Sequence, residues 1–367
     1  MSDFATRLIL WQRRHGRHGL PWQGADAYGV WLSEVMLQQT QVATVIPYYR
    51  RFIASFPTIA ALAAASEDQV LQHWSGLGYY ARGRNLHATA RQIMEKYQGR
   101  FPRRYEQILD LPGIGRSTAA AICALVWHER HAILDGNVRR LLARYCGISG
   151  WHGDNKVERR LWQEAEALLP LTDVATYTQA LMDMGATICT RKQPKCSECA
   201  VHSGCVASQT GRVHELPAAR PRKKLPERRA TFLLLMHGND ILLEKRCSRG
   251  IWGSMWCPPQ LDNGQSAVTE YMQRNGMGSI GGNRRRMAVE SGEAADFADE
   301  HEALSPFTHT FTHFRLHIAP VLMRLPYKPE EEMHFDKVWL DLDAALRAAI
   351  PTPMRVLFNR LLHESAC

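Results

Sequence analysis

CTRKQPKCSECAVHSGC, residues Cys189–Cys205, sets Cys189, Cys196, Cys199 and Cys205 in the spacing C-x6-C-x2-C-x5-C. Four thiols this close form a ligand set, because a metal centre makes their ionised forms favourable together. Zinc is the plainest occupant of four cysteines, but zinc sites usually pair their ligands as two short knuckles. Here the outer ligands stand six and five residues from the inner pair. That asymmetric run suits the four diverging corners of a 4Fe–4S cubane, with zinc as the alternative. Disulfides rank third, since Met1 to His15 shows no apolar run or cleavage site typical of a secretory signal.

Upstream of this stretch the chain reads as helical. Apolar residues recur at three and four spacing through Phe4–Trp11, Val30–Val45, Ile59–Ala65, Val70–Trp74 and Leu86–Met94. The pattern goes on through Tyr105–Leu109, Ser117–Trp127, Val138–Tyr145, Leu161–Leu169 and Tyr177–Met184, with Gly- or Pro-marked breaks between. Leu111-Pro-Gly113-Ile-Gly115 falls between two of these helices and reads as the hairpin of a helix–hairpin–helix motif. Its glycines let backbone approach a ligand closely, and the amides opening the next helix favour a phosphate. An ordinary tight turn between helices is the competing reading.

Two carboxylates stand in unusual company. Glu34 lies in VWLSEVMLQQTQV, where its helical neighbours at three and four spacing are Val30, Trp31, Leu37 and Gln38. Apolar surroundings raise a carboxyl pKa toward the range useful to a general acid; a merely half-buried Glu bonded to a neighbour is the plain alternative. Asp135, in AILDGNVRR, stands where a helix N-cap is expected, and an N-cap Asp is expected to stay ionised. One protonating carboxyl and one charged carboxylate are the pair that glycoside cleavage uses.

Downstream, Arg220–Arg229 (RPRKKLPERR) reads as an extended basic linker. The period then changes. Ala230–Met236 and Ile241–Lys245 flank His237-Gly-Asn-Asp240 as a hairpin, Phe307–Leu325 alternates as a long strand or strand pair, and helices are expected at Leu342–Ala348 and Met354–His363. This gives residues 1–209 as an all-α domain, 210–229 as linker and 230–367 as an α+β domain. The net charge of +9 favours an anionic partner. No apolar run nears the roughly 20 residues of a membrane span. A soluble, cytoplasmic monomer is expected.

The strings LPWQ (Leu20–Gln23), SEVMLQQTQV (Ser33–Val42), GLGYYARGRNLH (Gly76–His87), LPGIGRSTAAAI (Leu111–Ile122), LDGNVRR (Leu134–Arg140) and MDMGATIC (Met182–Cys189) are joined by the four cysteines. Together they resemble the MutY-type adenine DNA glycosylases of the endonuclease III-like branch of helix–hairpin–helix glycosylases, nearly without gaps from residue 4 to 205. The resemblance implies base excision repair of duplex DNA in which adenine faces 8-oxoguanine or G. It implies one 4Fe–4S cluster, Glu34 as the acid that protonates adenine N7, Asp135 as the group facing the sugar cation, and Asn137 as an orienting residue. Gln39 and Tyr79 would fill or wedge the base stack. Leu111, Gly113, Gly115, Arg191 and Lys192 would lie along phosphates. Ser117 occupies the place where bifunctional relatives hold a lysine nucleophile; a hydroxyl forms no imine, so a monofunctional glycosylase is expected.

The second domain resembles a Nudix fold more loosely. The Nudix pattern G-x5-E-x7-R-E-x-x-E-E begins with Gly264 and Glu270, but Gly278-Ser279 stand where Arg-Glu should follow. Lacking those carboxylates, the domain is expected to be inert in hydrolysis and to read the mispair. Phe311-Thr312-His313 is similar to the family's Phe-Ser-His loop that contacts 8-oxoguanine, with Thr for Ser. A metal site on His309, His313 and His317 is discounted because a continuous strand would hold them too far apart. A glycosylase/lyase, an iron–sulfur redox sensor without catalysis and a Nudix hydrolase are the competing functions.

Overall fold

The computed structural model describes residues 3–221, 224–261, 267–275, 301–326, 328 and 336–365. They divide into two units, Met1–Ser66 with Ala81–Arg222, and Glu67–Tyr80 with Lys223–Cys367.

The first unit is helical: α1 (Asp3–His15), α2 (Ala27–Leu37), α3 (Val42–Ser55), α4 (Ile59–Ala64), then, beyond α5 (Glu67–Trp74), α6 (Ala81–Tyr97), α7 (Tyr105–Leu109), α8 (Arg116–Trp127), α9 (Gly136–Tyr145), α10 (Asn155–Ala167) and α11 (Val174–Asp183). Helix α2 is central. Asp26 caps it through the Gly29 amide, and Tyr28–Ser33, Val35 and Met36 are buried on every side of it. A helix enclosed all round is apolar all round, so α2 lacks a polar stripe. It packs on α3 and α8, while α1 packs on α11.

The periodic stretch Val30–Val45 is two helices and not one. Gln39 takes φ +59° between them, and the carbonyls of Val35, Met36 and Gln38 accept from the buried guanidinium of Arg82, at 2.9, 2.8 and 2.5 Å. Apolar period alone passes over such a break because both flanking helices bury the same face. At its end α11 widens into a π-type turn, Met184–Ile188, that delivers Cys189.

The second unit is a mixed sheet. Strands β1 (Glu227–His237) and β2 (Asp240–Lys245) form the expected hairpin, closed by Gly238 at φ +55°. Short β3 (Trp256–Cys257) pairs with β2 and β4 (Gln260–Leu261) with β1, while β5 (Glu302–Ala303) and β6 (Phe307–Thr310) pair with β7 (Arg315–Arg324). β1 also pairs in parallel with β7 over ten residues, and β8 (Lys337–Asp341) lines up against β2. Such a strand, flanked on both sides, reads as a continuous apolar run: Phe232 to Met236 are all buried. Leu233, Leu235, Leu242, Leu261 and Met323 form a core with Val268, Tyr271 and Met272 of the helix Ala267–Arg274.

Two boundaries differ from those read in the sequence. β1 opens at Glu227, inside the expected linker; at that linker's other end, Leu216 is buried and its carbonyl receives the Arg144 Nε at 2.8 Å. Helix α5, expected among the helices of the first domain, groups with the second unit. There Asp68 pairs with Lys245 at 2.8 Å, and Ser75 Oγ donates to the Ile350 carbonyl while receiving Arg355. Gly264, Gly278 and Ser279, the positions that decide the Nudix pattern, lie outside the described residues.

Candidate active site and DNA interface

Glu34 sits in the last half of α2 with buried neighbours before and after it. Its side chain keeps some solvent contact, yet burial of the carboxyl and then the negative charge of Asp135 push its pKa up to about 8. Asp135 therefore lies within electrostatic reach, although the two residues are about a hundred positions apart. Helix α8 joins them: it packs on α2, and Ser117 Oγ near its start accepts the Leu134 amide at 3.0 Å, one residue before Asp135.

Asp135 is the N-cap of α9, accepting the Val138 amide at 2.8 Å. The cap is not the whole of its electrostatics. Burial raises the carboxyl, and the lowering effects of the Val138 and Asn137 amides and of Arg140 and Arg139 only oppose that rise. A helix N-terminus moderates a desolvated carboxylate but does not replace its lost water. Asn137 touches Asp135 through Nδ2 at 3.4 Å and accepts Arg140 at 2.9 Å.

Arg140 continues outward from there. Its guanidinium donates to the Gly185 carbonyl at 2.5 Å and to the Cys189 carbonyl at 2.7 Å. One helical turn on, buried Arg144 donates to Cys189 Sγ at 3.2 Å and to the Thr190 carbonyl at 2.8 Å. Gly185 makes this seam possible, because a Cβ there would meet the Asn137 Cβ at 2.6 Å. Helix α9 thus ties Asp135 to the cysteine loop by direct bonds.

Cys189, Cys196, Cys199 and Cys205 line one pocket, together with Leu141, Arg144, Ile188 and Val201. Burial pushes the Cys199 thiol up to about 11, with the charges of Cys189, Cys205 and Cys196 adding to it. Such a set ionises only around a cationic centre. Among the described residues these sulfurs do not form a group with all members within 4.8 Å of one another. One zinc ion would draw four sulfurs to about 3.8 Å of each other, given Zn–S of about 2.3 Å. Arg191 and Lys192 stand exposed on the loop.

In the hairpin, Leu111 is buried and Gly113 takes φ +76°, where a Cβ would strike Asn85 at 2.8 Å. Gly115 opens α8, and nothing would obstruct a Cβ there within 4 Å, so the approach to the first α8 amides is clear. Only the backbone of Leu111 is placed to meet a ligand. Gln39 and, in the other unit, Tyr79 are both exposed and both hold positive φ, +59° and +49°. A non-glycine residue in that region is uncommon and is strained unless its surroundings hold it.

In the second unit Phe311-Thr312-His313 is the tip of a hairpin between β6 (Phe307–Thr310) and β7, closed by the Phe311 amide to the Phe314 carbonyl at 2.9 Å. Phe314 is the core residue; Phe311 stacks on it at 4.6 Å and leans on His309 and Trp252. Thr312 and His313 are exposed, their side chains 3.4 Å apart. The continuous strand assumed for His309, His313 and His317 is replaced by this turn. His317 is engaged by Thr308 at 3.1 Å and Glu227 at 3.2 Å, and the three do not form a metal-binding group among the described residues.

The sequence reading missed Arg82, Arg140, Arg144, Gly185 and Trp252. A signal was present for Arg144, which falls three residues after Leu141 on the buried side of an amphipathic helix.

Residues 32–167 match the HhH-GPD superfamily of base excision DNA repair proteins, and residues 230–360 match the NUDIX domain. The chain is 38% identical to the adenine DNA glycosylase of Buchnera aphidicola subsp. Acyrthosiphon pisum, over 97% of each chain. It is 42% identical to that of Rattus norvegicus over 60% of this chain and 45% of the rat protein. Among solved structures, a thermostable thymine-DNA glycosylase superposes with a TM-score of 0.52 at 28% identity, covering 56% of this chain and 95% of that one. The full-length likeness, with both domain matches, places the chain in the MutY-type adenine DNA glycosylase family.

Proposed function

We propose that this chain excises adenine opposite 8-oxoguanine, or opposite G, from duplex DNA, without strand scission. The observation that supports this best is the pairing of Glu34, raised to about 8, with Asp135 behind it. At neutral pH the raised carboxyl still holds a proton, as a general acid must. The adenine leaves the stack first, since its N7 and glycosidic bond are out of reach inside the duplex. Glu34 gives its proton to N7, the C1′–N9 bond breaks with its electron pair going to the base, and Asp135 faces the sugar cation. Water then adds to C1′, and Glu34 takes back a proton. Asn137 orients Asp135. Ser117, holding the Leu134 amide, offers no amine for an imine, so the abasic strand stays whole.

Contacts to the DNA divide by role in this reading. The backbone of Leu111, Gly113 and Gly115 with Arg191 and Lys192 holds phosphate, giving register without sequence. Gln39 and Tyr79 enter the stack around the mispair, and Phe311, Thr312 and His313 meet the 8-oxoguanine. The four cysteines hold one 4Fe–4S cluster, which when bound cross-links the loop that presents Arg191 and Lys192.

Single-turnover cleavage of a labelled duplex with A opposite 8-oxoguanine tests the reading, wild type beside Glu34→Gln, each with and without alkali. Breaks appearing only after alkali, and lost in the variant, are expected. Breaks without alkali would make the enzyme a lyase, and no product from a DNA-binding wild type would end the glycosylase reading.

A further inference from the structure

Cys123, Glu129 and His131 lie together at the C-terminal end of α8. Their ligand atoms fall within 4.8 Å of one another, the one set of three or more potential metal ligands so gathered among the described residues. The backbone builds the arrangement. His128 turns left-handed at φ +59° to end the helix, and the Glu129 amide folds back to the Cys123 carbonyl at 3.2 Å. The His131 amide then bonds the Glu129 carbonyl at 3.1 Å. The ring of His131 is fixed by a stack on Tyr105, centroids 4.5 Å apart and planes within 10°.

We propose that Cys123, Glu129 and His131 form a second metal site, separate from the cysteine loop, for a single thiophilic divalent cation of the zinc class. The donor set is one thiolate, one carboxylate and one imidazole, which suits zinc or cadmium and leaves a fourth position for water. A tetrahedral zinc needs these donors about 3.3–3.5 Å apart, so no pair has to close by more than about 1.5 Å on binding, and Glu129 and His131 already stand 3.6 Å apart. The mouth is open enough for entry: the side chains of His131 and Glu129 are 31% and 36% accessible, over a buried Cys123. Among the described residues the Glu129 carboxylate comes within 3.6 Å of His131 and 3.8 Å of Arg103. Metal binding there releases the thiol proton. It also fastens the start of the segment that ends at Asp135, whose Leu134 amide Ser117 already holds.

The test uses the full chain with its iron cluster loaded and titrates it with cadmium. Iron content and visible absorbance report any displacement from the cysteine loop. Expected is one cadmium per chain with a sulfur-to-metal ultraviolet band, unchanged iron, and a melting temperature raised by the metal. Cys123→Ala should abolish the band, and Glu129→Gln and His131→Gln, at accessible positions, should each weaken binding at least about tenfold. Cadmium that binds only as iron leaves, or a band and affinity equal to wild type in the three variants, would overturn the site. Should Cys123→Ala not fold, the other two variants still decide it.

Discussion

The two units place their polar groups in opposite ways. In the helical unit, Arg82, Arg140 and Arg144 each draw together several backbone carbonyls in or near the interior, and Glu34 and Asp135 sit among those clamped segments. In the sheet unit, Thr312 and His313 stand in solvent at a hairpin tip, steadied from beneath by Phe311 on Phe314. Proton transfer to a base needs a desolvated group whose position does not drift, because a carboxyl in water falls back to its ordinary pKa. Reading a lesion needs an accessible edge, and a stacked aromatic holds such an edge at low entropic cost. Changes in the first unit should therefore act on the rate of the chemical step, and changes in the second on the choice of partner base.

The largest effect should come from Glu34→Gln, with excision slowed by about 10²–10⁴-fold while binding of the mispaired duplex persists. For wild type, kcat/KM should fall as pH rises through about 8, where the free acid loses its proton. Stability gives an independent reading with a definite sign. The folded carboxyl binds its proton more tightly than the unfolded one, so its favourable contribution is complete below about pH 4.5 and is lost up to about 8. Glu34→Gln carries no such loss. Its melting temperature should match wild type in acid and exceed it above pH 8, by a margin worth at most a few kcal/mol. Equal pH profiles of Tm would mean that Glu34 is not desolvated.

Asp135→Asn should cost about 10²–10³-fold in single-turnover rate, since it removes charge opposite the sugar cation. Asparagine caps a helix about as well as aspartate, so Tm should stay near wild type. Asp135→Ala should lose similar activity and in addition about 1 kcal/mol from the missing bond to the Val138 amide. A large fall in Tm for Asp135→Asn would show a structural role in place of an electrostatic one.

Gly185→Ala probes the seam itself. The added Cβ meets Asn137 at 2.6 Å, with its carbonyl at 2.9 Å, so α9 or the π-type turn has to shift. Overpacking of this kind costs about 1–3 kcal/mol. Because Arg140 bonds both Asn137 and the Gly185 carbonyl, the shift should slow excision by roughly tenfold, a loss of about 1.4 kcal/mol in the barrier. A variant destabilised to that degree yet excising at the normal rate would separate the cysteine loop from Glu34 and Asp135.

How far these features could be read in the sequence follows the same division. The helices at Tyr105–Leu109 and Arg116–Trp127, the hairpin glycines and the Asp135 cap are local, and local spacing carried them. The break at Gln38–Gln41 was hidden because Arg82, which donates to the Gln38 carbonyl, lies more than forty residues away. Arg140 and Arg144 look like solvated charges in a basic chain; only the fold reveals that carbonyls await them. The upward pull of burial on Asp135 was hidden for a related reason, since capping is local and burial is not. In the second unit the strands were legible from their apolar runs, but the turn that splits Phe307–Leu325 was not. It contains neither Gly nor Pro, so nothing in FTHF marks it.

That turn gives the smallest and most discriminating effect. Thr312→Ser restores the hydroxyl-only side chain found in the resembled Phe-Ser-His loop and removes one exposed methyl. Exposed as it is, the change should leave Tm within about 0.5 kcal/mol of wild type. The rate of the chemical step on A opposite 8-oxoguanine should be untouched, because the methyl takes no part in proton transfer or in facing the sugar cation. What should move is preference: the ratio of kcat/KM for A opposite 8-oxoguanine over A opposite G, by no more than about a few-fold, since the methyl is exposed and the hydroxyl is kept. Phe311→Ala should shift the same ratio further, since it removes the ring that braces the tip against Phe314 and Trp252. If either change instead lowered the single-turnover rate equally on both substrates, recognition and chemistry would not be divided between the two units. The contrast between a buried, clamped site and an exposed, stacked one would then describe packing and nothing more.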